Sequence, residues 1–176
     1  MDDNVTIETP RLMLMCCDQQ MLEALFESES ALATLLDIRI PGVWTEFGER
    51  AFRWTYNKIK HENADMRWWT YLPILKQERI LAGSCGFKGE PRNGVVEIGY
   101  EVARDYRGRG LGTEIASALI EFAWQHEPVT AVQAHTLGIE NESCRVLRKC
   151  GMKKILEIDD PEHEKIWRWE IVKTIQ

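Results

Sequence analysis

The stretch Val95–Trp124, VVEIGYEVARDYRGRGLGTEIASALIEFAW, constrains the fold of this chain more than any other. Val95 to Val102 has the character of a strand, and Arg107-Gly108-Arg109-Gly110-Leu111-Gly112 forms a tight basic turn. Leu111, Ile115, Ala118, Leu119 and Phe122 then fall on one face of a helix. A strand that passes through such a turn into a helix aims unpaired backbone N–H groups at one point. The helix N-terminus adds a partial positive charge there. Glycine lets the main chain approach an anion closely and take positive φ where needed. A pyrophosphate suits such a place.

Two familiar phosphate loops do not fit. A Walker loop needs Lys-Ser/Thr after its last glycine, and here Gly112 is followed by Thr113. A dinucleotide G-x-G-x-x-G built on Gly108 and Gly110 would need glycine at Thr113. What remains is Arg-x-x-Gly-x-Gly, carried by Arg107, Gly110 and Gly112. This resembles the pyrophosphate signature of the GNAT superfamily of acyl-CoA-dependent N-acyltransferases. Gly83–Phe87 and Glu97–Tyr100 resemble the third and fourth strands of its branch related to ribosomal-protein-alanine N-acetyltransferases (RimJ/RimL-like). Ala134–Leu137 and Asn141–Met152 are similar to the fifth strand and following helix, and Thr9–Leu14 to the opening strand. The resemblance covers most of the chain in order and spacing, and is weakest in residues 27–66.

At 176 residues and 20.4 kDa the chain has the length of one domain, residues 1–176, with a full core. No apolar stretch approaches a membrane span, and MDDNVTIETP is too acidic and polar for a secretory leader. Cys16, Cys17, Cys85, Cys144 and Cys150 show neither paired nor metal-binding spacing, and the four histidines lie far apart. An odd set of apolar-flanked thiols suits a reducing cytoplasm, no metal is expected, and buried cysteine is the expectation over a catalytic one. A net charge of −6 argues against nucleic-acid binding and suits a cationic acceptor.

Read in order, the chain predicts a strand at Arg11–Met15, helices at Gln20–Glu27, Ser30–Leu36 and Glu49–His61, and strands at Arg67–Leu75 and Ile80–Phe87. After the signature come strand Ala131–Leu137, helix Asn141–Cys150 ended by Gly151, and strands near Lys153–Ile158 and Lys165–Lys173. Trp167, Trp169 and Ile171 alternate with polar neighbours, as in a half-buried antiparallel hairpin. Such an order gives an α/β (α+β) fold, a mixed sheet with helices on both faces. The resemblance implies the GNAT fold: a mostly antiparallel seven-stranded sheet, splayed between strands four and five, with pantetheine in the gap.

Acetyl transfer sets requirements. A primary amine, with pKa near 10, must lose a proton before it attacks a thioester. A backbone N–H must face the acyl oxygen, and the departing thiolate needs a donor. By resemblance, Glu97 is the first candidate for base. Glu101 competes, since period two puts both on one face unless the family's bulge in this strand breaks the parity. His135 is a third candidate because imidazole titrates near neutrality. The family's frequent tyrosine donor falls on Leu147, so the resemblance points to Ser143, with Asn141 holding pantetheine or fixing Ser143. Both are equally good helix-capping residues, and Tyr100 and Tyr106 are alternative donors. Tyr100 and Val102 are expected to offer main-chain groups to the acyl and pantetheine parts of acetyl-CoA. Arg107, Gly108, Arg109, Gly110, Leu111, Gly112 and Thr113 are expected to cradle its pyrophosphate, with Arg107 or Arg109 on the 3′-phosphate and the Leu111 side chain in the core.

The acceptor pocket is expected between the early helices and the last two strands, where Trp44, Trp54, Trp68, Trp69, Trp167 and Trp169 concentrate, although tryptophan more often fills a core. The acceptor is a primary amine, of a small molecule or a protein N-terminus, and the protein a monomer or homodimer. A non-catalytic acyl-CoA-binding module is the alternative, and a phosphate-binding domain of another fold a third reading.

Overall fold

The computed structural model describes residues 5–174; the acidic first four residues lie outside them. Strand β1 is Thr6–Glu8, β2 Leu12–Cys16, β3 Thr70–Leu75, β4 Ile80–Leu81, β5 Gly83–Phe87, β6 Val95–Val102, β7 Ala131–Leu137, β8 Lys153–Asp160 and β9 Glu164–Val172. Helices are α1 Gln19–Glu27, α2 Glu29–Leu36, α3 Glu49–Glu62, α4 Leu111–Trp124 and α5 Glu142–Lys149. The sheet runs β1-β2-β3-β5-β6-β7-β9-β8, with β4 beside β3. Its paired strands are antiparallel except β6 and β7.

The five helices follow the predicted segments closely because each has a local stop or start. Asp18 accepts from Met21 N at 2.8 Å to open α1, and Ser28 both ends α1 and caps α2 through Ala31 N at 2.9 Å. The strands depart from the sequence reading in three places. The described residues contain nine strands, not seven, because Thr6–Glu8 folds back on β2 and Ile80–Phe87 is split in two. The split has a cause: Ile74 faces Leu81 while Tyr71 faces Cys85, so one extra residue is accommodated beside Pro73, which has no N–H to give the ladder. Arg67–Leu75 is extended only from Thr70, because Asp65 caps Arg67 N at 3.1 Å and winds Met66–Trp68 into a 3-10 turn.

Register then decides faces. β5 and β6 pair from Gly83↔Val102 to Phe87↔Ile98 without a slip, so the implied bulge is absent from this stretch of β6 and period two holds. Val96 and Ile98 turn toward α4, in one core with Leu111, Ile115, Leu119, Leu147 and Trp169. A second core lies on the other face, where Leu22, Leu32, Trp44 and Phe52 pack on Leu72, Ile74 and Leu81. Among the described residues no helix is long and apolar enough to cross a membrane. Leu119 is fully buried at the centre of α4. Leu119→Ala is expected to cost about 2–5 kcal/mol, read as a lower denaturant midpoint with unchanged slope.

Candidate active site

The parallel pair β6–β7 holds register only at Val95↔Ala131, Val96↔Val132 and Glu97↔Gln133, and the strands then part. On its other edge β6 stays bonded to β5: Lys88 N donates to Glu97 O at 2.9 Å, and Ala103 N donates to Ala82 O at 2.7 Å. By the alternation of a ladder, Ile98, Tyr100 and Val102 therefore direct their main-chain groups into the parted gap. The carbonyl of Val102 is taken by Arg107 Nε at 2.9 Å. Main-chain polar groups seek partners, and past Glu97 this edge is not paired to β7.

At the mouth of the gap lies the start of α4. Gly108 and Gly110 have φ of 74° and 77°, which an L side chain would strain. Gly110 opens α4 without a side-chain cap, and the first intrahelical bond found is Glu114 N to Gly110 O at 3.1 Å. The N–H groups of Leu111, Gly112 and Thr113 are thus left to an anion. Gly112 lets α4 sit close: a Cβ there would meet Val146 Cγ2 at 3.4 Å and Tyr100 Cε2 at 3.8 Å. Leu111 is buried in the core.

A strap that local sequence patterns do not reveal holds this turn. Arg11 donates to Arg109 O at 2.8 Å and to Glu114 at 2.7 Å, while Thr9 Oγ1 and Arg11 N also donate to Glu114, at 2.6 and 2.9 Å. Thr9 and Arg11 lie about a hundred residues from Glu114, so only the tertiary fold joins them. Burial raises the pKa of Glu114, but the donors outweigh it and hold the carboxyl below its usual range. Arg107 is tied to Glu46 at 3.0 Å as well as to Val102, whereas Arg109 is exposed and lies over the Tyr106 ring, 4.9 Å from its centroid.

Asn141 caps α5, its Oδ1 accepting from Cys144 N at 3.1 Å, so its capping role is used and its amide N–H groups remain. Ser143 Oγ makes no hydrogen bond among the described residues, although Tyr100 Oη lies 3.4 Å from the Ser143 carbonyl. Burial pushes the Tyr100 phenol well up, so it stays protonated. Leu147 is buried core.

The two candidate carboxylates share the face opposite α4 but have different surroundings. Glu101 accepts from Thr45 Oγ1, from Glu46 N at 2.9 Å and from Ser84 Oγ at 3.0 Å, and so fastens the α2–α3 loop across the end of β6. Glu97 is ion-paired with Lys88 and lies 2.9 Å from His135 Nδ1 and 3.5 Å from Gln133 Nε2. Burial pushes its pKa up, yet His135 and Lys88 outweigh that and leave it lowered. Burial pushes the Cys16 thiol up to about 12 and also raises Cys17, Cys85 and Cys150, which makes these four poor nucleophiles. Of the six tryptophans expected near the acceptor pocket, Trp44, Trp68 and Trp169 are core and Trp54 is exposed. The groove of about 380 Å³ between β1 and α4 is lined by Thr6, Glu121 and Gln125 and does not include the parted strands.

The model of the acetyltransferase (GNAT) domain matches residues 11–153. The chain belongs to the GNAT acetyltransferase family. It is 27% identical over 150 residues to the Bacillus subtilis protein named uncharacterized N-acetyltransferase YjdG, covering 84% of this chain and 89% of that one. The fold is shared with the Salmonella typhimurium acetyltransferase that modifies the N-terminal serine of ribosomal protein L7/L12 (15% identity, TM-score 0.69, 97% of this chain and 100% of that one). It is shared equally with RimL, a ribosomal L7/L12 α-N-protein acetyltransferase solved with coenzyme A (14% identity, TM-score 0.69, 96% and 98%). GNAT neighbours thus bind coenzyme A, and the GNAT domain makes this chain an acyltransferase.

The strap yields a pH test. Because the Glu114 pKa is lowered on folding, its stabilisation is complete above the unfolded value near 4.3 and is lost as pH falls through the lower folded value. Glu114→Gln is expected to flatten the loss of stability below about pH 4.3, measured as the denaturation midpoint against pH.

Proposed function

We propose that this chain is an acetyl-CoA-dependent N-acetyltransferase that acts on a primary amine by direct transfer, residues 1–176 working as a single domain. The observation that carries the reading is the open edge of β6 running into the uncapped start of α4. The residues fit the coenzyme. The turn from Arg107 through Gly108, Arg109, Gly110, Leu111, Gly112 and Thr113 holds the pyrophosphate, chiefly by main-chain N–H groups. Arg11, beside Gly110, braces the turn through the Arg109 carbonyl and Glu114. Tyr100 offers main-chain groups to the acyl and pantetheine parts, as does the N–H of Val102, and the free Asn141 amide reaches the same arm. Bound there, acetyl-CoA supplies an activated thioester carbonyl. The unpartnered Ser143 hydroxyl serves as donor to the departing sulfur.

The acceptor enters from the face of Glu97, since α4 and α5 fill the other. Glu97 belongs to the machinery that removes the amine proton. The acceptor is a protein N-terminal α-amine or a small amine; RimL supports the first, and the clamped α2–α3 loop supports a narrower site. The reaction needs neither metal nor nucleic acid, and the protein works in the cytoplasm as a monomer or homodimer.

Acetyl-CoA is expected to raise the melting temperature by mass action, and Gly110→Val to abolish the shift. A panel of amines with thiol release as the readout tests turnover. Absence of any shift at millimolar coenzyme A overturns the binding site, and binding without turnover on any amine leaves the non-catalytic module. Direct transfer predicts no stable acetyl adduct by intact mass after incubation with acetyl-CoA alone, and near-native turnover after replacing Cys85, Cys144 or Cys150 by alanine.

A further inference from the structure

Resting on the acyltransferase reading, we infer that His135 takes the proton from the incoming amine and that Glu97 is the positioning residue that holds its imidazole. His135 stands two residues past Gln133, the last residue of β7 paired to β6, and so lies on the parted stretch. Its ring leans back toward the closed end of the gap, with Nδ1 2.9 Å from Glu97 Oε1. An ionised carboxylate only accepts, so in the neutral ring Nδ1 carries the hydrogen and Nε2 keeps its lone pair. Among the described residues Nε2 has no hydrogen-bond partner, and the side chain is 22% exposed on the face from which an acceptor can come.

The alternatives are occupied. Glu97 is held by Lys88, His135 and Gln133, and the hydrogen bonds of His135 and Lys88 keep it ionised and therefore weakly basic. Glu101 fastens the α2–α3 loop through Thr45, Glu46 and Ser84. Gly99, between the two glutamates on β6, adds no side chain over the strand; a Cβ there would first meet Lys88 Cε, at 3.7 Å. The groups facing the imidazole are Glu97 from β6, Lys88 following β5, and Arg168, its register partner on β9.

The protons balance. The acceptor ammonium gives one proton to Nε2, and the imidazolium formed is held by the Glu97 carboxylate and later returns the proton to water. As the C–N bond forms and the C–S bond breaks, the second proton leaves nitrogen for the departing sulfur, and the amide keeps the third.

The test joins kinetics with a readout independent of turnover. His135→Gln is expected to lower kcat by roughly 10²-fold with acetyl-CoA binding unchanged, and to remove the acid limb of the kcat–pH profile. Glu97→Gln lowers kcat less, and the double variant is no slower than His135→Gln alone, because the two act as a unit. In the free protein, ring ¹⁵N shifts are expected to show neutral His135 as the Nδ1–H tautomer, reverting to Nε2–H in Glu97→Ala. A His135→Gln variant within threefold of wild type overturns the inference, as does Glu97→Gln falling further than His135→Gln or an Nε2–H tautomer in the wild type. Failure of the wild type to bind acetyl-CoA overturns instead the acyltransferase reading.

Discussion

Past Glu97 and Gln133 two neighbouring strands lose each other, and the remaining architecture depends on that separation. A backbone edge without a ladder partner is costly when buried, so the parting persists only where another group satisfies it. One flank is secured by α4, whose Gly112 seats against Tyr100, Val102 and Val146. The other is secured by β9, which continues the pairing of β7 out to Leu137↔Ile166. The gap is thus held open by packing on both sides rather than by weakness of the sheet.

The same separation divides the chemistry. One face carries the large core and the start of α4. The opposite face carries Lys88, Glu97, His135 and Glu101, which are polar and paired. A chain with net charge −6 gathers Arg11, Arg107 and Arg109 around one helix N-terminus, with Arg11 paired to Glu114 and Arg107 to Glu46.

Legibility followed the range of the interactions. The helices were readable because caps such as Asp18 and Ser28 act within three residues, and the start of α4 because its glycines are contiguous. The edge strand Thr6–Glu8 is only three residues long, too short to show a period, and the break at Ala82 depends on register against the distant strand that carries Pro73. The assumed bulge in β6 came from family expectation, and the pairing with β5 runs through without it. The Arg11–Glu114 strap and the Lys88–Glu97–His135 cluster left no local pattern, because their members are brought together by strand order alone.

The sequence by itself determined the family, the sequence of elements and the loop suited to a pyrophosphate, because glycine spacing and hydrophobic period act over a few neighbouring residues. Tertiary structure alone decided which carboxylate is a fastener and which is a partner to histidine. Glu97 and Glu101 are chemically identical and share one face of β6, so their roles differ only through what the fold sets against them: the α2–α3 loop for Glu101, and the imidazole of β7 for Glu97.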